Sequence, residues 1–306
     1  MPRSSARRPD EARGLLFGAG AYALWGLFPL YWPLLAPAAA LEILAHRIVW
    51  SLGFVGALLA VRPRPGWFAA LRARPGALPR LTAAAVVLSV NWLVYIWAIN
   101  NDQVVETSLG YFINPLVTVL LGVALLRERL RGPQWVAVAV AAVAVLVLTV
   151  DYGRLPWIAL TLAGSFAVYG LLKKRVGAGA VETLTVETAV LFLPALAYLA
   201  WLEVSGAAVF GHAPLTTDVL LAGAGIVTAV PLLLFGGAAT RIPLTVLGLL
   251  QYIAPVLQFL IGVLVRHEPM PASRLVGFSL VWAALVLLTV DALTSGRRAR
   301  LVTEPC

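Results

Sequence analysis

The chain has 306 residues, of which 61% are hydrophobic and 12% are charged, and its formal net charge is +9. Ordinary soluble domains are about 45–50% apolar, so this composition excludes a soluble globule and indicates a protein that lies in lipid. The basic residues form short clusters between apolar stretches, a pattern typical of membrane topology rather than of a nucleic-acid-binding surface.

Ten apolar stretches are long enough to cross a bilayer as helices, which takes about 20 residues each. They cover residues 14–35, 38–61, 81–100, 104–126, 133–150, 155–172, 183–203, 217–239, 243–265 and 272–292. The first stretch is longer than the roughly 7–15 apolar residues of a signal peptide, so we interpret it as a retained helix. The sequence therefore predicts an all-α polytopic membrane protein with ten transmembrane helices.

The positions of the basic residues predict the orientation of these helices. If the N-terminus is cytoplasmic, most of the 23 Lys and Arg residues fall on the cytoplasmic side, as the positive-inside rule requires. Both termini are therefore predicted to be cytoplasmic. A multi-pass chain with almost no soluble domain suits the bacterial inner (cytoplasmic) membrane.

The second half of the chain repeats the first. At an offset of 140 residues, Pro115 aligns with Pro255 and Glu128 with Glu268, without a gap. Because five helices are an odd number, the second copy enters the membrane from the opposite side, which gives an inverted repeat. The predicted organisation is a tail at 1–13, repeats at 14–151 and 155–292, and a tail at 293–306.

Four ionisable residues within the predicted helices are candidates for function, because such side chains are costly in lipid. Glu42, His46 and Arg47 lie in the second helix and Glu187 in the seventh. Since the offset aligns Arg47 with Glu187, we expect the two to face each other across the two-fold axis. The pair is either structural, or Arg47 anchors an anion or carbonyl while Glu187 or His46 takes up a coupling proton.

Polar residues on helices 3, 4 and 9 are candidates for the wall of a binding cavity. Tyr111 and Asn114 share one face of the fourth helix, and Gln251 and Gln258 lie on the equivalent face of the ninth. The third helix carries Asn91 and Tyr95 one turn apart. Such a lining suits a flat, partly apolar solute.

Prolines and tryptophans add two further expectations. Pro115 and Pro255 each remove an amide donor inside an apolar helix, so they are either hinges of the two halves or packing features. Trp32 lies at a helix end and is predicted to anchor the chain at the membrane interface.

Several long phrases resemble a known family. They are "EILAHRIVWS" at 42–51, "NWLVYIWAIN" at 91–100, "LGYFINPLVTVLLGVALLRERL" at 109–130, "TAVPLLLFGGAA" at 228–239 and "LGLLQYIAPVLQFLIGV" at 247–263. The chain is similar to the EamA family of the drug/metabolite transporter superfamily, and within it to RarD-type permeases. The resemblance implies a permease for a small metabolite or drug-like solute, acting by efflux; the alternative on the same fold is a flippase for lipids or lipid-linked metabolites.

Other classes of protein are disfavoured. His46, His212 and His267 lie in separate segments without metal-site spacing, Cys306 is the only cysteine, and there is no P-loop motif. We therefore predict no enzyme, cofactor, metal or nucleic-acid partner. The expected partners are a small-molecule substrate and membrane lipid, with a homodimer possible through the lipid-facing helices 5 or 10.

Overall fold

The computed structural model describes residues 7–61, 65–126 and 130–302, and within these ranges the chain forms helices and no β-strand. The α-helices are α1 Arg7–Gly26, α2 Phe28–Tyr31, α3 Ala40–Val61, α4 Trp67–Arg72, α5 Ala77–Asn100, α6 Val104–Leu126, α7 Gly132–Tyr152, α8 Trp157–Val176, α9 Ala180–Ser205, α10 Leu215–Ala239, α11 Leu244–Leu250, α12 Ile253–Leu260 and α13 Ala272–Val302. A 3₁₀-helix at Trp32–Leu35 follows α2, and a π-helix at Ile261–Val265 follows α12.

Most of these helices are long and apolar enough to cross a membrane. Among the described residues there are eight such spans, and nine if the pair Asp10–Gly26 and Phe28–Leu35, bent by 41°, counts as one. The sixth predicted helix corresponds to a shorter apolar helix, Trp157–Lys173. The all-α polytopic class is therefore confirmed, and the count of ten spans stays a prediction.

Helix boundaries differ from the hydropathy pattern at both ends of the chain. Helix α1 begins at Arg7 and α13 continues to Val302, so helical structure extends into both segments predicted as tails. The reason is that hydropathy marks only the apolar part of a helix. Glu128, the predicted counterpart of Glu268, lies outside the described residues.

Helix α3 lies at the centre of the fold and packs against α5, α9 and α10. The approach of α10 depends on Gly225, because a Cβ built there would lie 2.3 Å from the carbonyl carbon of Trp50. The Ser51 hydroxyl donates to the Gly225 carbonyl oxygen at 3.4 Å. Small residues at such crossings let helix backbones approach closely in lipid.

The remaining helices pack around this centre in pairs. Helix α8 packs against α5 and α6, α1 packs against α10 and α12, and α7 packs against α13. The outward faces of α7 and α13 carry exposed Val143, Val150 and Val286, which suits contact with lipid chains. A homodimer through these helices stays a prediction.

Two carboxylates hold the starts of helices that are distant in sequence. Glu268 accepts hydrogen bonds from the backbone N–H groups of Val104 and Val105, and Glu106 accepts one from Ile158 at 3.1 Å. These N–H groups have no partner within their own helices. Burial raises the pKa of the Glu268 carboxyl above its usual value, while its two backbone N–H donors act in the opposite direction.

Candidate functional site

Arg47 is the centre of the candidate site. It lies in the second turn of α3, and only 3% of its side chain surface is exposed. Its Nε donates a hydrogen bond of 2.6 Å to the Thr228 hydroxyl on α10. The guanidinium of α3 is therefore held by the second half of the chain.

Aromatic rings surround this guanidinium. Its central carbon lies 3.9 Å from the centroid of the Trp92 ring on α5, 5.1 Å from that of Trp32 and 5.7 Å from that of Phe28. Tyr95 belongs to the same buried cluster as Phe28 and Trp32, and its ring centroid lies 5.7 Å from that of Tyr111. We call this set the Arg47 cage; its members are Phe28, Trp32, Arg47, Trp92, Tyr95, Tyr111 and Thr228.

Several donors in the cage have no hydrogen-bond partner. These are Nη1 of Arg47, Nε1 of Trp32 and the hydroxyl of Tyr95, and all three atoms are buried. Arg47 has no ion pair with a described carboxylate, and a stacked arene compensates its charge only in part, by about 2 kcal/mol when desolvated. The cage is therefore positively charged and rich in donors.

Two of the predicted amides connect the cage to α8. Asn91 donates to the carbonyl oxygen of Leu162 at 3.0 Å and to the Ser165 hydroxyl at 2.9 Å, and it accepts a hydrogen bond of 3.4 Å from Tyr111. Asn114, one turn beyond Tyr111, donates to the Ala163 carbonyl oxygen at 3.1 Å. Asn91 therefore orients Tyr111, and both amides fix α5 and α6 against α8.

Arg47 and Glu187 are not paired with each other in the described structure, and their facing across a two-fold axis stays a prediction. Glu187 pairs instead with Lys173 on α8 at 3.0 Å and accepts a hydrogen bond of 3.3 Å from the Tyr169 hydroxyl. Arg47 follows the start of α3 at Ala40, and Glu187 follows the start of α9 at Ala180, each by seven residues. If the two halves form an inverted repeat, such positions lie at equal depths from opposite faces and approach each other only near the midplane.

Trp92 contacts both the Arg47 guanidinium and a second buried cluster. Its ring stacks on Arg47 and also packs against the cluster of buried residues that contains Tyr169. Tyr169 in turn donates to Glu187. The Arg47 cage and the Lys173–Glu187 pair are therefore linked through buried residues of α5 and α8.

Glu42 and His46 share a face of α3 that points away from the cage. Glu42 accepts hydrogen bonds from the backbone N–H groups of Val209 and Phe210, at 2.8 and 3.3 Å. The His46 ring lies 4.7 Å from the Phe210 ring, and its Nδ1 accepts from Trp50 at 3.3 Å. In this structure both side chains hold the loop before α10, and their predicted part in binding or coupling stays a prediction.

The predicted polar residues of the ninth helix differ in burial and position. Gln258 is buried and donates to the Trp25 carbonyl oxygen at 3.2 Å, whereas Gln251 is the C-cap residue after α11. The helix is broken at Gln251 and Tyr252, because the Pro255 ring disfavours a helical carbonyl four residues before it. Helix α6, by contrast, is continuous through Pro115, so the two prolines differ in their local effect.

Sequence reasoning missed three residues of this region. Trp32 is fully buried in the cage, so its assignment to the membrane interface is wrong. Thr228 carries no charge, and its position beside Arg47 depends on the approach of α10 at Gly225. Lys173 lies one residue beyond the predicted sixth stretch, 155–172, although its ammonium group reaches back to Glu187. In the described part of the chain, no group of three His, Cys, Asp or Glu side chains is placed to hold a metal ion.

Comparisons with known proteins give a consistent result. A model of the EamA-like transporter family matches residues 12–150. The chain is 59% identical over 296 residues to "Protein RarD" of Streptomyces exfoliatus, covering 96% of this chain and 94% of that protein. It is 42% identical over 286 residues to "Protein RarD" of Escherichia coli (strain K12), covering 94% and 97%.

Two further similarities complete the comparison. "Uncharacterized transporter YojE" of Bacillus subtilis (strain 168) is 45% identical over 287 residues, covering 92% of this chain and 94% of that protein. A solved crystal structure superposes with a TM-score of 0.58 at 19% identity, covering 92% of this chain and 98% of the other. At that identity the superposition supports the fold alone.

Proposed function

Because this chain belongs to the EamA-like transporter family, we propose that it is a secondary transporter that moves a small metabolite or drug-like solute out of the cytoplasm by alternating access. Its relatives are named as transporters, so it is a multi-pass membrane transporter and not an enzyme. The observation that carries the proposal is the Arg47 cage, since buried ionisable groups in membrane helices mark substrate pathways.

The proposed architecture is ten spans in two inverted five-helix repeats. We count α1 with the bent segment after it as the first span, and α11 with α12 as the ninth. A two-fold axis between the repeats then relates the α1–α10 contact to the α8–α5 contact. The same axis relates the α1–α12 contact to the α8–α6 contact. The pairs α3–α9, α6–α12 and α7–α13 map onto themselves, and the helix contacts follow this scheme.

The proposed binding region lies where the halves meet. Arg47, Tyr95 and Tyr111 line it, and Asn91 and Asn114 position the helices that carry them. In secondary transporters built from inverted repeats, substrate binds near the midplane at the repeat interface. Glu187 is the proposed coupling group, because its carboxylate is buried and, among the residues that the structure describes, pairs with one cation, Lys173.

Reconstitution tests this proposal. Purified protein in liposomes is expected to move at least one solute from a metabolite and drug panel faster than protein-free liposomes do, and a pH gradient is expected to change the rate. The Arg47→Ala variant is the matched control for the cage. Fluxes equal to those of protein-free liposomes across the whole panel would reject the transporter mechanism.

The proposed topology has a direct check. Reporter fusions after residue 70 and after residue 300 are both expected to give cytoplasmic signals, because the basic clusters at 72–80 and 297–300 lie on that side in the ten-span arrangement. The measurement is the paired activity of a cytoplasm-only and a periplasm-only reporter at each site. A periplasmic signal at either site is incompatible with two inverted five-helix repeats.

The two prolines are expected to differ as hinges. Pro255→Ala restores an N–H group and allows the helix to continue through Gln251 and Tyr252, so exchange between inward-open and outward-open states should slow. Pro115→Ala alters a helix that is already continuous, so its effect on the transport rate should be smaller. Equal rates for both variants and the unmodified protein would leave the prolines as packing features.

A further inference from the structure

The polar groups of the Arg47 cage are unbalanced towards donors. Arg47 Nη1, Trp32 Nε1 and the Tyr95 hydroxyl are buried without partners. The Thr228 hydroxyl is already engaged, because it accepts from Arg47 and donates to the Ala224 carbonyl oxygen. Unmade hydrogen bonds of this kind each cost about 1–3 kcal/mol, so the cage is complementary to a group that brings its own acceptors.

Charge narrows the choice of that group. A water molecule would accept one of these hydrogen bonds but would leave the guanidinium charge uncompensated, and burying an unpaired charge is far more costly than burying a polar group. A ligand with one negative charge neutralises one Arg47. A dianion would leave a second charge unpaired, because no other cation lies among the cage residues.

The shape of the guanidinium and of the cage narrows the choice of ligand further. A guanidinium is a planar fork that matches the two oxygens of a carboxylate, and Trp32 and Tyr95 supply two further buried donors without partners. The walls of the cage are the rings of Phe28, Trp32, Trp92, Tyr95 and Tyr111. Such walls favour an apolar, preferably flat, body behind the charged group.

We propose that the solute recognised by the Arg47 cage is a small organic monocarboxylate, with its carboxylate on Arg47 and its apolar body against the aromatic walls. This inference rests on the proposed function, because it identifies the substrate class of the same site. It also assigns direct roles to Trp32 and Tyr95 as second and third donors to the carboxylate.

Binding to the full-length protein in lipid nanodiscs tests the inference without requiring transport. The probes are benzoate, cinnamate and hexanoate as monocarboxylates, benzamide as the neutral isostere of benzoate, and phenylphosphonate at pH 8.5 as a dianion. Isothermal titration calorimetry, with tryptophan fluorescence as a second signal, measures the affinity. We expect at least one carboxylate to bind at least tenfold more tightly than benzamide and phenylphosphonate.

Variants locate the binding. Arg47→Gln should abolish the preference for carboxylate over amide, whereas Trp32→Phe and Tyr95→Phe, which keep the rings, should each reduce carboxylate affinity by roughly three- to tenfold, as expected for loss of one hydrogen bond. Arg72→Gln, at an exposed arginine of α4, is the matched control and should bind as the unmodified protein does. Melting temperature and gel filtration establish that each variant is folded.

The outcomes separate the inference from the proposed function. A folded protein that binds none of the three carboxylates, or a preference that survives in Arg47→Gln, overturns the inference even if other solutes are transported. Arg47-dependent carboxylate binding without flux in liposomes supports the inference and rejects the transport mechanism. A preference for phenylphosphonate would also overturn it, because the cage would then select a dianion.

Discussion

Gly225→Ala is expected to prevent normal assembly of the protein. The added methyl group would lie 2.3 Å from the Trp50 carbonyl carbon and 2.6 Å from the Ser51 nitrogen, and backbone atoms cannot move aside as a flexible side chain can. Overpacking a core usually costs about 1–3 kcal/mol and occasionally more, and this contact belongs at the upper end. Helices α3 and α10 would separate, and Thr228 would move away from Arg47.

The measurements are the yield of folded protein in membranes and the melting temperature in detergent. Gly56→Ala is the matched control: it lies on the same helix as Trp50, it is exposed, and an added Cβ there has no atom within 4 Å. That control should be neutral or slightly stabilising, because Ala favours a helix over Gly by about 1 kcal/mol. Equal melting temperatures for Gly225→Ala and the unmodified protein would mean that α3 and α10 tolerate separation.

Lys173→Met is expected to destabilise the protein by about 3 kcal/mol, because it leaves the buried Glu187 carboxylate without its cation. Lys173 is 24% exposed and Glu187 3% exposed, so solvent screens the pair only weakly. The double variant Lys173→Met with Glu187→Leu should recover most of that loss, since an apolar replacement of a buried pair is often tolerated. Thermal unfolding in detergent measures all three changes.

Transport by the double variant then distinguishes two roles for the pair. If Glu187 couples transport to protons, the stable double variant should no longer respond to a pH gradient. If the pair only fixes α8 to α9, the pH response should persist. Asp10→Asn is the matched control, because it breaks an exposed pair with Arg241 and should change stability by less than about 1 kcal/mol.

The helices could be predicted from sequence because lipid imposes one simple requirement on each span. An apolar stretch of fixed length is needed wherever the backbone crosses the hydrocarbon. That requirement indicates a span between residues 40 and 61 independently of how the other helices pack. It does not indicate where a helix ends in water, so the start of α1 at Arg7 and the separate helix α4 were not foreseen.

The candidate site was predictable only in part, for a related reason. Arg47 is recognisable in the sequence because a charge is rare in an apolar helix. Asn91, Tyr95 and Tyr111 are recognisable because they are polar residues in apolar helices. Their partners are set by how helices pack: Thr228 and Trp32 reach Arg47 through tertiary contacts that leave no local pattern. The 140-residue offset predicts that Arg47 and Glu187 are equivalent positions, but equivalence in an inverted repeat would not imply contact.

The buried guanidinium also has an electrical consequence. Because Arg47 is part of α3, its positive charge stays with the protein when the site is empty. A bound monoanion makes the site neutral. A charge that crosses the full membrane potential changes its free energy by about 2.3 kcal/mol per 100 mV. If part of the membrane potential falls across the cage as the two repeats move, voltage changes the rate at which the empty, charged carrier returns. The step in which the neutral, solute-bound carrier moves is then nearly independent of voltage. Net transport would then be electrogenic, because the charge of Arg47 moves through the field when the empty carrier returns.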